Sequence, residues 1–142
     1  MSNCHIIFTG DVICTLWDYQ HNNDFSNWFT DLRPLFMDSD YVISNLETPM
    51  AGENEGYTNH IYSFNTPRDI AQSMKESGIN FVATANNHCM DKGIKGLQST
   101  IDELDKWGIK HTGTFKTEED ADKILVVDVN GIKIGIIAYT YG

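Results

Sequence analysis

Asp11, Asn45, Glu47 and the run Asn86-Asn87-His88, with Asp91 just beyond, are the side chains whose types and spacing could do chemistry. Each group follows a compact apolar run: Ile6-Ile7-Phe8 before Gly10-Asp11, Tyr41-Val42-Ile43 before Asn45, and Ile79 to Ala83 before the Asn-Asn-His stretch. Uncharged runs rich in β-branched and aromatic residues read as buried strands. In α/β sheets ligands gather beyond the carboxyl ends of the strands, where a carboxylate can serve a metal or phosphate site. Asn45 and Glu47 lie two residues apart, so an extended backbone points both to one side, within reach of a single ion. A plainer reading exists for each: Gly-Asp and Asn-Asn are ordinary turn sequences, and a lone Glu caps a helix or pairs with a cation.

The elements that must position these groups follow from periodicity. After Gly93, Ile94, Leu97, Ile101 and Leu104 recur at helical spacing, predicting a helix that runs to Trp107 and stops at Gly108. A second helix opens at Thr66-Pro67-Arg68-Asp69, with Thr66 as N-cap, Pro67 at the first position and Asp69 complementing the dipole. Ile70 and Met74 would face inward, and Gly78 would end it. Phe25, Trp28, Phe29, Leu32 and Phe36 mark a third helix face, capped by Asp24 and ended or kinked by Pro34. Residues 4–9 read as a first, central strand that stops at Gly10-Asp11, and 109–113 as a fourth. Residues 50–65 are polar and Gly-rich, a rim loop with a short strand at 61–64 and a surface histidine, His60. An acidic helical turn at 117–122 leads to two β-branched runs, 124–129 and 132–139, joined by Asn130-Gly131, which predicts a hairpin.

With 142 residues the chain is read as one domain, 1–142, able to bury roughly two thirds of its unfolded surface. Twenty acidic residues against ten basic ones give a net charge of −10, and no Lys/Arg cluster offsets it. Such a field repels a phosphate backbone, so nucleic acid is not an expected partner. Cys4, Cys14 and Cys89 have no motif spacing and are read as free thiols in a reducing compartment. No signal peptide or membrane-spanning run is legible, so the chain as given is expected to be cytoplasmic. It stops at Tyr141-Gly142 right after its most hydrophobic strand, which predicts a domain cut short and a strand available for dimerisation.

Taken together, the segments FTGDV (8–12), DYVISNLETP (40–49), INFVATANNHCMDKG (79–93) and GIKIGIIAYTYG (131–142) resemble the bacterial capsule-synthesis family CapA, or PgsA, of poly-γ-glutamate biosynthesis. That family is similar in turn to calcineurin-like metallophosphoesterases. The resemblance implies an α/β/β/α sandwich of the metallophosphoesterase type, of which this chain would be the N-terminal part, with two divalent metals (Mn, Zn, Fe or Mg) at the strand ends. By analogy Asp11, Glu47 and Asn87 would be metal ligands and His88 the catalytic acid or electrostatic stabiliser. Asn45, Asn86 and Asp91 are further site candidates. Carboxylate, amide and imidazole suit these metals better than a soft thiolate metal. Two ions about 4 Å apart activate water and hold both oxygens of a phosphoryl displacement. The substrate would be a phosphoester or an anionic polymer, and family members are often membrane-anchored and extracellular. Two departures stand out: Ile13 occupies the position where the phosphoesterase pattern has a His, and the later histidine motifs are absent. They motivate an alternative, a non-catalytic module that binds polymer or assembles with a synthesis complex.

Overall fold

The computed structural model describes residues 3–21 and 24–141. Strands β1 (Ile6–Val12), β2 (Tyr41–Leu46), β3 (Phe81–Ala83) and β4 (Lys110–Thr112) form one parallel sheet in that order. Parallel neighbours need crossovers on the order of a dozen residues, and these carry the helices. Helices α1 (Leu16–His21) and α2 (Arg33–Met37) join β1 to β2, α3 (Asp69–Ser77) joins β2 to β3, and α4 (Gly93–Trp107) joins β3 to β4. A short α5 (Glu118–Ala121) precedes the antiparallel strands β5 (Leu125–Val129) and β6 (Ile132–Ile136), which form a separate two-stranded sheet. The class is α/β, as the alternation of strand and helix signals predicts.

The main core draws Val42, Leu46 and Val82 from the sheet, Phe36 from α2, Ile70 and Met74 from α3, and Leu104 from α4. Ile70 and Met74 are four apart on α3 and fully buried, and Gly78 closes that helix in the left-handed conformation at φ 101°. On α4 the buried stripe is Ile101 and Leu104, while Ile94 is 66 % exposed. The loop after β2 meets the middle of the helix: the Met50 N–H donates to Thr100 Oγ1 at 2.8 Å, and Ser99 Oγ donates to the Met50 carbonyl at 2.6 Å. Truncating Leu104 to Ala should cost about 2–5 kcal/mol, the usual range for emptying such a site.

Several local expectations are corrected. β1 lies at the edge of the four-stranded sheet rather than its centre, and it runs through Gly10-Asp11 instead of stopping there. Residues 26–32 form successive turns rather than one helix, and Pro34 sits in the first turn of α2 instead of ending a helix. The Asp24 carboxylate accepts from the Ser26 N–H at 2.9 Å and from Asn27, so a short polar side chain competes with helix propagation. Pro34, which lacks a backbone N–H to continue a preceding helix, is instead accommodated in the first turn of α2, where no such donor is needed. Thr66 does not cap α3, whose N-cap is Arg68; it is buried and shares a 2.8 Å hydroxyl contact with Thr48. The 61–64 strand reduces to one isolated bridge, His60 to Ser63.

The hairpin prediction holds, with Asn130 at φ 53° and Gly131 at φ 82°, the positive pair a tight two-residue turn demands. β6 ends at Ile136, short of the expected Tyr139, which is 87 % exposed. Gly113 lies against Ala85 and Ala138: a Cβ there would fall 2.6 Å from Ala85 Cβ, at φ 113°. Only glycine lets the β4 exit run so close to the segment that leads into Asn86. Cys4, Cys14 and Cys89 are free thiols; Cys14 is wholly buried, and burial followed by the charge of Asp18 pushes its thiol up to about 12. Gly142, the last residue of the fourth motif, lies outside the described residues.

Candidate functional site

Parallel pairing brings the carboxyl ends of β1, β2 and β3 to one edge of the sheet. Register alone would not align their polar groups. Between Phe8 and Asp11 the pairing with β2 shifts, so β1 spends one residue more than its partner, and Asp11 comes opposite Asn45. A bulge of this kind re-aims a side chain at the end of a strand. Asn45 is paired on its other side with Ala83 of β3.

Asn45 is the hub of the edge. Its Nδ2 donates to Asp11 Oδ1 at 2.7 Å and to Glu47 Oε2 at 3.2 Å, so one amide joins both carboxylates. Its Oδ1 accepts from Asn86 Nδ2 at 3.3 Å, and Asn86 Nδ2 also donates to the Leu46 carbonyl at 2.8 Å. Asn86 Oδ1 then accepts the His88 N–H at 3.0 Å. Asn45 and Glu47 thus lie on one side of the chain, joined by a hydrogen bond through the amide nitrogen, and Asn86 links them to the histidine backbone. Asn87 is exposed and takes no part in the hydrogen bonds among the described residues.

Glu47 has a raised pKa. Burial is the first cause, followed by a hydrogen bond with Asp11 and the Asp11 charge, while His88 acts in the opposite sense. Two carboxylates facing each other favour a shared proton or a cation between them.

His88 is held from three directions. Its Nδ1 lies 2.8 Å from Asp91 Oδ2, with side chains only 17 % and 12 % exposed. Because a carboxylate accepts, the ring proton sits on Nδ1 and leaves Nε2 bare in the neutral imidazole. Asp91 Oδ2 also accepts the Phe64 N–H at 2.8 Å. The Phe64 ring meets the His88 ring edge-on, with centroids 4.5 Å apart and planes at 88°. Asp91 therefore orients His88 and is itself fixed by the loop after β2.

That loop was read from sequence as irregular rim, and the residues that order it were missed. Asn65 is fully buried: its Oδ1 accepts the Ala51 N–H at 2.8 Å, and its Nδ2 donates to the Gly52 and Gly56 carbonyls, both at 2.9 Å. A polar residue beside the helix-opening Thr-Pro was the available signal, but its partners are fixed only by the path of the loop. Thr84 is similar, its hydroxyl meeting the Thr112 carbonyl and Thr114 at 3.0 and 2.8 Å.

Among the described residues no three of His, Cys, Asp and Glu gather as a metal shell. The amide oxygens of Asn45 and Asn86 are engaged within the network, so Asp11 and Glu47 are the oxygen donors best suited to a hard divalent cation. A cavity of about 270 Å³, lined in part by Ile101, His111, Phe115 and Leu125, includes none of these groups. No helix among the described residues is long and apolar enough to cross a membrane.

Comparison with known proteins gives this edge a family setting. The family model described as bacterial capsule synthesis protein PGA_cap matches residues 5–142. The chain is 30 % identical over 114 residues to the PGA biosynthesis protein CapA of Bacillus subtilis (strain 168), covering 79 % of this chain and 30 % of that protein. It is 27 % identical over 115 residues to the capsule biosynthesis protein CapA of Bacillus anthracis, covering 79 % of this chain and 28 % of the relative. An uncharacterized Sinorhizobium fredii protein, y4sH, is 25 % identical over 141 residues, 94 % of this chain and 29 % of its own length. The chain thus spans under a third of the length of these relatives. The match runs through β1, β2, β3 and the hairpin and so takes in every residue of the polar edge, and the chain belongs to the bacterial capsule synthesis protein family PGA_cap.

Proposed function

We propose that this chain supplies part of a divalent-metal hydrolase centre of the phosphoesterase type in a capsule or poly-γ-glutamate biosynthesis protein. The observation that carries this reading is the Asp11–Glu47 pair joined by one amide at the ends of parallel strands, beside an oriented His88. Asp11 and Glu47 would hold a Mn, Zn, Fe or Mg ion, with Asn87 as a ligand to a second. When bound, such ions lower the pKa of a water and polarise a phosphoryl or carbonyl oxygen. His88, with its Nδ1 turned to Asp91, would present Nε2 to the substrate as acid or electrostatic stabiliser. Asn45 and Asn86 position the carboxylates and the backbone of His88 without being ligands. The sheet would be one of the two in an α/β/β/α sandwich, and the substrate a phosphoester or an anionic polymer of the poly-γ-glutamate kind.

Elemental analysis after dialysis against Mn tests the metal assignment. Metal held by the wild type, weakly because this chain supplies only part of the shell, and lost in Asp11→Asn and in Glu47→Gln, is the expected result. Equal retention by wild type and variants would show that these carboxylates are not the ligands.

A second reading is favoured by the lack of a three-ligand cluster among the described residues and by Ile13 at the histidine position of the phosphoesterase pattern. In it the same edge, with the 50–65 rim, binds polymer or a synthesis-complex partner without catalysis. Tight polymer binding that chelator leaves unchanged would select this reading over the first.

A further inference from the structure

We propose that Thr9 is a positioning residue for the cation site: its hydroxyl, bonded to Ser44, holds the irregular stretch of β1 that delivers Asp11 to the Asn45 amide. The cation rests on the reading above; the placement of Asp11 does not.

Pairing of β1 with β2 is regular from Ile6–Tyr41 to Phe8–Ile43 and resumes at Asp11–Asn45 and Val12–Leu46, so Thr9 and Gly10 together face Ser44 alone. Continued without that shift, the ladder would set Asp11 opposite Leu46. Leu46 is buried and shares the core face of β2 with Val42 and Ser44, and a carboxylate carried there would lose its water. The extra residue returns Asp11 to the face of Asn45 and brings Val12 into the core.

Something must hold β1 where its ladder is interrupted, because it is an edge strand of the four-stranded sheet. Thr9 Oγ1 donates to Ser44 Oγ at 2.8 Å across the interruption, and it also lies 3.2 Å from the Gly10 carbonyl. Ser44 is buried, so without Thr9 its hydroxyl would lack both water and partner. Gly10 does not force the shift, since a Cβ there would meet nothing within 4 Å. Two residues past Thr9, Asp11 Oδ1 accepts from Asn45 Nδ2 at 2.7 Å. The hydroxyl pair on one face of β2 thus fixes where the carboxylate arrives on the other. A group that orients a metal ligand in this way raises affinity without touching the ion.

The test pairs NMR of the Asn45 side-chain amide, recorded on the full chain without metal, with Mn affinity read by competition with a metal indicator. Thr9→Val removes the hydroxyl and keeps the branched shape, whereas Thr9→Ser keeps the hydroxyl. Thr9→Val should shift the Asn45 amide signals and lower Mn affinity about tenfold or more, the usual loss on removing a group that orients a ligand. Thr9→Ser should stay near wild type in both, and unmoved Val82 signals would show that the sheet is intact. The double variant Thr9→Val, Ser44→Ala separates positioning from stability, because it leaves no hydroxyl unpaired. Its melting temperature should recover toward wild type while its Mn affinity stays low. Recovery of both, or Asn45 signals unmoved in Thr9→Val, would overturn the role of Thr9. If the wild type holds no Mn while Thr9→Val still shifts the Asn45 signals, the cation reading fails and the placement of Asp11 by Thr9 stands.

Discussion

The two ends of the same parallel sheet carry similar polar residues and use them in opposite ways. At the amino end, Asp40 Oδ2 accepts the His5 N–H at 2.7 Å and Asn80 Oδ1 accepts the Val42 N–H at 2.7 Å. Each side chain there satisfies a backbone group at a strand start, and the His5 bond holds the Asp40 carboxyl below its ordinary value. At the carboxyl end Asn86 still serves backbone groups, but the two carboxylates are turned toward side chains: Asp11 and Glu47 meet through Asn45, and Glu47 is raised. A carboxylate that caps backbone is comfortable in its ionised form. A carboxylate turned toward a second carboxylate is not, and it invites a proton or a cation. The difference separates polar groups that complete the fold from polar groups the fold sets against each other. Such opposed groups are where function is sought.

The largest test of this contrast lies at His88. On the hydrolase reading, His88→Ala in a protein of the relatives' full length should lower any metal-dependent phosphoesterase turnover by ~10²-fold or more, as on losing a general acid, in steady-state assays with excess Mn. Unchanged turnover would remove His88 from the chemistry. At the opposite end, Asn80→Ala should leave the Val42 N–H without its partner and cost about 1–3 kcal/mol in urea unfolding, with no change in cation binding. A loss of cation binding in Asn80→Ala would break the division between the two ends.

Glu47→Gln should do the reverse of Asn80→Ala. It removes one of two facing charges, so stability at neutral pH should stay level or rise while Mn affinity falls about tenfold or more, read by competition with a metal indicator. A clear loss of stability would mean that Glu47 serves the fold as Asp40 does.

The smallest effects are in pH dependence, and they have opposite signs. Asp40 is lowered from 3.8 in the folded chain, so its contribution is present above 3.8 and fades as pH falls through the folded value. Glu47 is raised from 4.5, so the folded state binds its proton more tightly; that stabilisation is full below 4.5 and is lost as pH rises through the folded value. Melting temperatures across this range should show Asp40→Asn flattening the acid limb and Glu47→Gln flattening the limb above 4.5. Identical profiles for the two variants would erase the distinction.

Much of the fold was legible because local signals and tertiary packing agreed. The α4 stripe at Ile101 and Leu104, the Gly78 and Gly108 stops and the Asn130-Gly131 turn each rest on a constraint that neighbouring residues impose by themselves. The 25–36 segment misled because its aromatic spacing matched one helix, while Asp24 held residues 26–27 in a turn and Pro34 began a new helix instead of ending one. Thr66 misled likewise, since a residue suited to capping was drawn into a buried contact with Thr48.

For the site, sequence alone determined which residues could meet: polar groups after apolar runs, in strands joined by helices, must share one edge of a parallel sheet. Tertiary structure decided what they do there. The bulge that sets Asp11 opposite Asn45, the single amide shared by two carboxylates, and the Phe64 N–H that fixes Asp91 beneath His88 depend on atoms placed by segments far apart in the chain. Side-chain period fixes the face on which a residue lies, whereas hydrogen-bond partners across 27 to 41 residues are settled only when the chain closes on itself.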